Sequence, residues 1–206
     1  MKFTFSTFLI AALIVTTGCL RKRDYVPISK QKLKGSGIIY LIPLGDFPAN
    51  QAEDLAVHLR SKYNIDVRTL PKVELLPVAV NEEREQLIAE QLVSLMKQAR
   101  PELIDDPKAF LIGLTDEDMY IGHKDWQFAF NWREKGKYAV VSSGRMNLGT
   151  LWKTASDELV KTRMRKMVTK NVGLLYYNLE LSNDPRSVLY GKVDGMKELD
   201  RMGEEF

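Results

Sequence analysis

Six apolar residues, Val160, Met164, Val168, Val172, Leu175 and Leu179, recur at spacings of four, four, four, three and four. That period lays them along one face of a helix and along no strand. Glu158 to Asp200 therefore reads as a long helix, spanning 157–177, that runs into a turn and a looser second segment. The rest of the chain has to supply the surface that buries this face. Lys161, Arg163, Arg165 and Lys166 lie off the face and are expected in solvent. Lys170, Asn171 and Leu174 form a neighbouring cluster, in which 170 and 174 are one turn apart and stack on the same side.

The preceding residues supply a sheet. Ile38-Ile-Tyr-Leu-Ile-Pro-Leu44 is a nearly continuous apolar run, the pattern of a buried strand. Ala49 to Tyr63 reads as a helix with Ala52, Leu55, Ala56 and Leu59 inward, ended by Asn64. Asp66 to Leu70 is a second strand, and Pro71 and Pro77 mark a loop. Asn81 is placed to cap a helix from Glu82 to Arg100, with Leu87, Ile88, Gln91, Leu92, Leu95 and Met96 as its stripe and Pro101 as its stop. Ala109 to Leu114 is a third strand. Phe128–Arg133 and Tyr138–Ser143 flank Glu134-Lys-Gly-Lys137 as a hairpin. Strand–helix–strand–helix–strand followed by a hairpin implies an α/β (α+β) fold, a mixed twisted sheet with helices packed on it. Apolar residues at 45% and charged residues at 28% suit a packed domain. The near balance of 30 basic against 27 acidic residues argues against a nucleic-acid partner, which needs a basic stripe.

The N-terminus reads as a targeting segment. Lys2 precedes an apolar run from Phe3 to Val15, and Thr16-Thr17-Gly18-Cys19 follows. Small residues before a cysteine resemble the lipobox of bacterial lipoproteins, which implies cleavage after residue 18 and lipidation of Cys19. The alternative is an uncleaved anchor, since Phe3 to Leu20 carries no charge and is long enough to span. Cys19 is the single cysteine in the chain, so neither an intrachain disulfide nor a thiolate metal site can form. Three parts follow: a signal peptide at 1–18, a lipidated cysteine and basic flexible tether at 19–37, and a domain at 38–206. Leu20 after the cysteine, by the same resemblance, implies an outer-membrane anchor facing the periplasm.

Four pieces in order carry a second resemblance: Gly113-Leu-Thr-Asp-Glu-Asp-Met-Tyr120, Trp126-Gln-Phe-Ala-Phe130, Ala139-Val-Val-Ser-Ser-Gly-Arg145, and the helix with its continuation through Ser187-Val-Leu189 and Glu198-Leu-Asp200. Together they resemble the archaemetzincins, metzincin-like zinc proteases. The resemblance is close over 113–200 and one of layout before that. It implies a zincin-like sheet, a substrate-pairing edge strand at Ala139, Val140, Val141, Ser142 and Ser143, and a motif H-E-x-x-H-x-x-G-x-x-H on the helix. Aligned on Gly173, Lys170 stands at the first histidine, Asn171 at the general-base glutamate and Leu174 at the second histidine. Tyr177 stands at the turn glycine, Glu180 at the third histidine, and Leu189 at the methionine beneath the metal.

That replacement removes the chemistry. Zinc takes neutral imidazole, thiolate or carboxylate donors. Leu174 has no donor, a protonated Lys170 repels a dication, and Asn171 cannot accept a proton from water. The expectation is a degenerate member with no catalytic residue, metal or cofactor of the family type. It is instead a pseudoprotease, anchored to the membrane by its lipid, that binds an extended peptide or an envelope protein by strand addition. Alternatives are rebuilt chemistry, with Ser142 or Ser143 paired to Lys170, or a purely structural lipoprotein whose cleft is plugged by Trp126, Trp132 or Trp152. The vacated space admits a Lys170–Glu180 pair; otherwise Lys170 reaches solvent and Glu180 sits on an unrelated turn. Asp116, Glu117 and Asp118 lack the glycine and terminal glutamate of a calcium loop and read as a turn. His58 reads as a boundary residue, and His123 as exposed.

Overall fold

A computed structural model describes residues 25–134, 136–149 and 154–206. The signal segment, Cys19 and Trp152 lie outside the described residues. In chain order the elements are β1 (Ile38–Pro43), α1 (Ala49–Tyr63), β2 (Asp66–Thr69), β3 (Val80–Asn81), β4 (Gln86–Ile88), α2 (Ala89–Ala99), β5 (Ala109–Thr115), β6 (Met119–Tyr120), β7 (Asn131–Glu134), β8 (Tyr138–Ser142), α3 (Asp157–Leu175) and α4 (Met196–Arg201). The main sheet runs β2-β1-β5-β8-β7. Its first four strands are parallel, and β7 returns antiparallel beside β8. A second, small sheet runs β3-β4-β6.

Strand alternation sorts the core into two layers. Ile39 and Leu41 of β1, Ile112 and Leu114 of β5, and Ala139 and Val141 of β8 face α1 and α3. Tyr40 and Ile42, Leu111, and Tyr138 and Val140 face α2. The helical face found in the sequence is the one that α3 lays on the sheet, with Met164, Val168 and Val172 buried. Ser156 caps the helix by accepting the Leu159 N–H at 3.3 Å. Asn64, at φ 54°, ends α1 in the left-handed conformation that asparagine tolerates.

Four local expectations need correction. The helix expected from Glu82 starts instead at Ala89. Glu82-Glu-Arg-Glu85 offers no apolar face, and Glu85 at φ 51° closes a turn. Leu87 and Ile88 then pair with Met119 and Tyr120 as strand residues. Arg163 and Lys166, expected in solvent, are buried. Residues 25–37, expected as tether, lie on the body: Ile28 N–H donates to the Phe206 carbonyl, and Ile28 and Leu33 pack on the core. Finally, Ala139–Ser143 is not an edge. β8 is hydrogen-bonded on both sides, and β7 is the outer strand.

Arg163 is 1% exposed and fully engaged. Its Nε and Nη2 each meet an Asp200 oxygen at 2.7 Å, and its Nη1 donates to the carbonyls of Met146 (2.5 Å) and Leu148 (2.7 Å). Removing one partner of a buried pair strands the other charge. Asp200→Ala should therefore lower stability by about 2–4 kcal/mol, toward the low end of such losses because Asp200 retains some water. Urea unfolding of the variant measures it.

Candidate functional site

The cleft floor is built by α3. Lys170 is 5% exposed, and its Nζ donates to the Tyr190 carbonyl at 2.5 Å. Asn171 is fully buried; its Nδ2 donates to the Met167 carbonyl at 2.8 Å, and its Oδ1 has no hydrogen-bond partner among the described residues. Leu174 packs on the core and brings no donor. Gly173 leaves room for a close approach to the helix. A Cβ there would lie 2.5 Å from the Phe206 ring and 2.7 Å from Leu189 Cδ2. Leu189 thus packs against the helix at Gly173. Tyr177 is buried against Tyr63 and Phe206, and the left-handed residue after the helix is Asn178, at φ 51°.

A cavity of about 640 Å³ opens above this floor. One wall is the segment Trp126–Arg133, the opposite wall is Leu181, Gly191, Val193 and Asp194, and Met167 and Lys170 close the base. The pairing of Arg133 with Ala139 and of Asn131 with Val141 puts both β7 side chains on the α3 side of the sheet. Trp132 packs on the α2-side core and also contributes to the cleft wall, and Trp126 lines the cleft at 58% exposure.

The upper rim is fixed by a network that sequence reasoning missed. Arg84 donates to the carbonyls of Trp126 (3.1 Å) and Gln127 (2.9 Å) and to Gln86 Oε1 (2.8 Å). Gln86 Nε2 and Arg145 Nε both donate to Asp118 Oδ2 at 2.8 Å. The acidic run Asp116-Glu117-Asp118 is therefore a turn held by side chains, and no group of metal-binding residues occurs among the described residues. The alternation of polar Asn81 and Gln86 with apolar Val80 and Leu87 was the available signal for this hairpin.

Several expected partners are not brought together. Glu180 is exposed and forms no ion pair among the described residues, so the Lys170–Glu180 pair does not form. Lys170 spends its hydrogen bond on the following segment instead. The Ser–Lys arrangement is absent too: Ser142 Oγ donates to the Glu117 carbonyl at 2.5 Å, and Ser143 Oγ bonds the Thr115 carbonyl at 3.4 Å. His58 is half-buried between α1 and α3, and exposed His123 pairs with Glu90 at 2.6 Å. The residues at the zinc positions do not fit zinc. They are an ammonium bound to a carbonyl, an aliphatic side chain and a carboxylate turned to solvent.

No protein-family model matches the chain. Two curated archaemetzincins do. That of Haloquadratum walsbyi is 27% identical over 139 residues, covering 66% of this chain and 76% of its own. That of Natronomonas pharaonis is 26% identical over 136 residues, covering 65% and 75%. Among solved structures, the archaemetzincin of Archaeoglobus fulgidus superposes with a TM-score of 0.64 at 24% identity, covering 82% of this chain and 94% of that one. The zinc-dependent peptidase of Methanocorpusculum labreanum gives 0.68 at 19% identity, covering 82% and 95%. The chain is archaemetzincin-like. Its mixed sheet and long helix are the fold of those peptidases, and its zinc-position residues depart from a zinc-binding set.

Burial pushes the Lys170 ammonium down from 10.5 to about 8, and the nearby charge of Arg133 pushes the same way. The folded state then holds fewer protons than the unfolded chain between about pH 8 and pH 10.5, so this site gains stability as pH rises through that window. Below it, the buried charge is a standing cost. Lys170→Met should raise stability at neutral pH by about 1–3 kcal/mol. The advantage should shrink toward pH 10.5. Guanidinium unfolding across a pH series checks both the sign and the window.

Proposed function

We propose that this archaemetzincin-like domain is a membrane-anchored pseudoprotease that binds an extended peptide, or an extended segment of an envelope protein, without cutting it. The observation that carries the reading is the open cleft beside β7, kept while the zinc positions hold Lys170, Leu174 and Glu180. The relatives are metallopeptidases, and a peptidase cleft is shaped for extended backbone. Loss of the donors removes the metal chemistry and leaves the groove.

Strand β7 offers the groove's hydrogen-bonding edge. The Ser142 N–H donates to the Phe130 carbonyl, which fixes the phase of the antiparallel ladder. Residues 130, 132 and 134 then face β8, and the N–H and C=O groups of Asn131 and Arg133 face outward. An extended peptide adds there by main-chain bonds and places alternate side chains in the cleft. Cys19 supplies the lipid anchor in this reading, and export places the domain at the outer membrane facing the periplasm.

Two results test it. Elemental analysis of the purified chain should find zinc well below one per molecule, and casein should survive incubation with it; stoichiometric zinc with cleavage would overturn the proposal. Asn131→Pro removes an outward N–H from an edge strand, where proline is tolerated. It should weaken peptide binding at least about tenfold, with the fold retained by circular dichroism.

A further inference from the structure

The cleft floor carries positive charge without a matching anion. Arg133 is half-buried, points to the α3 side, and has no side-chain hydrogen bond or ion pair among the described residues. A guanidinium has five N–H donors, and leaving them dry and unpaired is costly. Lys170 beside it has three donors and one acceptor, the Tyr190 carbonyl. Burial lowers the charge affinity of both groups, and Arg133 disfavours the Lys170 ammonium electrostatically. Of the other charged groups lining the cavity, Lys124 adds to the excess, and His123 is tied to Glu90. Asp194 is exposed and forms no ion pair with either cation.

We propose that Arg133 and Lys170 form a carboxylate-binding subsite in the cleft floor, and that the bound peptide presents an Asp or Glu side chain or its own C-terminal carboxylate there. This rests on the reading of the cleft as a peptide groove. The planar fork of Arg133 matches a carboxylate in bidentate geometry, and Lys170 supplies a second, point-like donor. An extended peptide paired to β7 would run directly over both groups. The subsite occupies the place of the first metal ligand, so a cation still receives the ligand there, through hydrogen bonds in place of coordination.

The test has two arms. In the first, acetate is titrated against chloride at matched ionic strength, and the Lys170 side-chain NMR signal, assigned by its loss in Lys170→Gln, is followed. A saturable shift, abolished in Arg133→Gln and partly kept in Arg133→Lys, is expected; a signal indifferent to acetate overturns the subsite. In the second, three extended peptides of one backbone are compared: neutral with an amidated C-terminus, the same with one internal Glu, and neutral with a free C-terminus. At least about tenfold tighter binding of one acidic form, lost in Arg133→Gln, supports the subsite and names the source of the carboxylate. Equal binding of all three overturns the subsite and leaves the peptide groove standing. Acetate binding with no peptide binding overturns the groove and leaves the anion site. Silence in both arms overturns both.

Discussion

The segment that follows α3 is positioned by a ladder of buried cations along one side of that helix. Residues beyond 175 form little regular structure, and several of their carbonyls are met by side chains of α3. Arg163 supplies donors to Asp200, Met146 and Leu148. Lys166 donates to the carbonyls of Leu199 (3.2 Å) and Asp200 (3.0 Å), and Lys170 to that of Tyr190. The three lie at i, i+3 and i+7, on one side of the helix. A segment that carries no sheet pairing of note is thereby held against the helix by side-chain-to-backbone bonds. The wall of the cleft opposite β7 is part of that segment, so the ladder also sets the width of the groove.

Lys170 gives this ladder its functional meaning. In the metal-binding pattern that the resemblance implies, a zinc ion ties the helix to the segment that follows. Here one ammonium ties α3 to Tyr190 by a hydrogen bond, a cruder link with the same consequence for shape. The cost is a charge in a dry place, and the nearby Arg133 raises it. Asn171 adds a second cost, a fully buried Oδ1 with no partner among the described residues, of about 1–3 kcal/mol by the general rule for such groups. A chain selected for stability alone would be better served by apolar residues at both positions. Lys170 lines the cleft, where the proposed binding role would use its charge; Asn171 does not line it.

The fold was legible where local pattern and tertiary burial agree. α1 runs over Ala49–Tyr63 as its apolar spacing implied, the first, second and third strands fall where the apolar runs lie, and the α3 face is buried as read. It was illegible where side-chain chemistry overrides pattern. Glu82 to Ile88 looks helical in composition, yet Gln86 and Arg84 find partners across the rim that a helix would deny them. Arg163 and Lys166 look like a solvated face, because no sequence rule shows that an irregular C-terminal segment will bring its carbonyls to them. The parallel pairing of β8 with β5 is nonlocal for the same reason. The hairpin was visible, but which of its strands would lie outermost was not, and that exchange moved the free sheet edge from Ala139–Ser143 to Asn131–Glu134.

That exchange decides what the groove can recognise. Had β8 been the edge, the ligand would have met Ala139, Val140 and Val141 and a pair of serines, a surface selective mainly for shape. With β7 outermost, the residues beside a ligand backbone paired there as proposed would be Asn131 and Arg133, and Arg133 and Lys170 both line the cleft. Cation density at the floor and free backbone at the rim together favour a ligand that is extended and negatively charged at one point. Cutting such a ligand would require an activated water beneath its carbonyl. At that place the helix offers an amide already bonded to its own backbone and a leucine, neither of which is a zinc ligand or a general base.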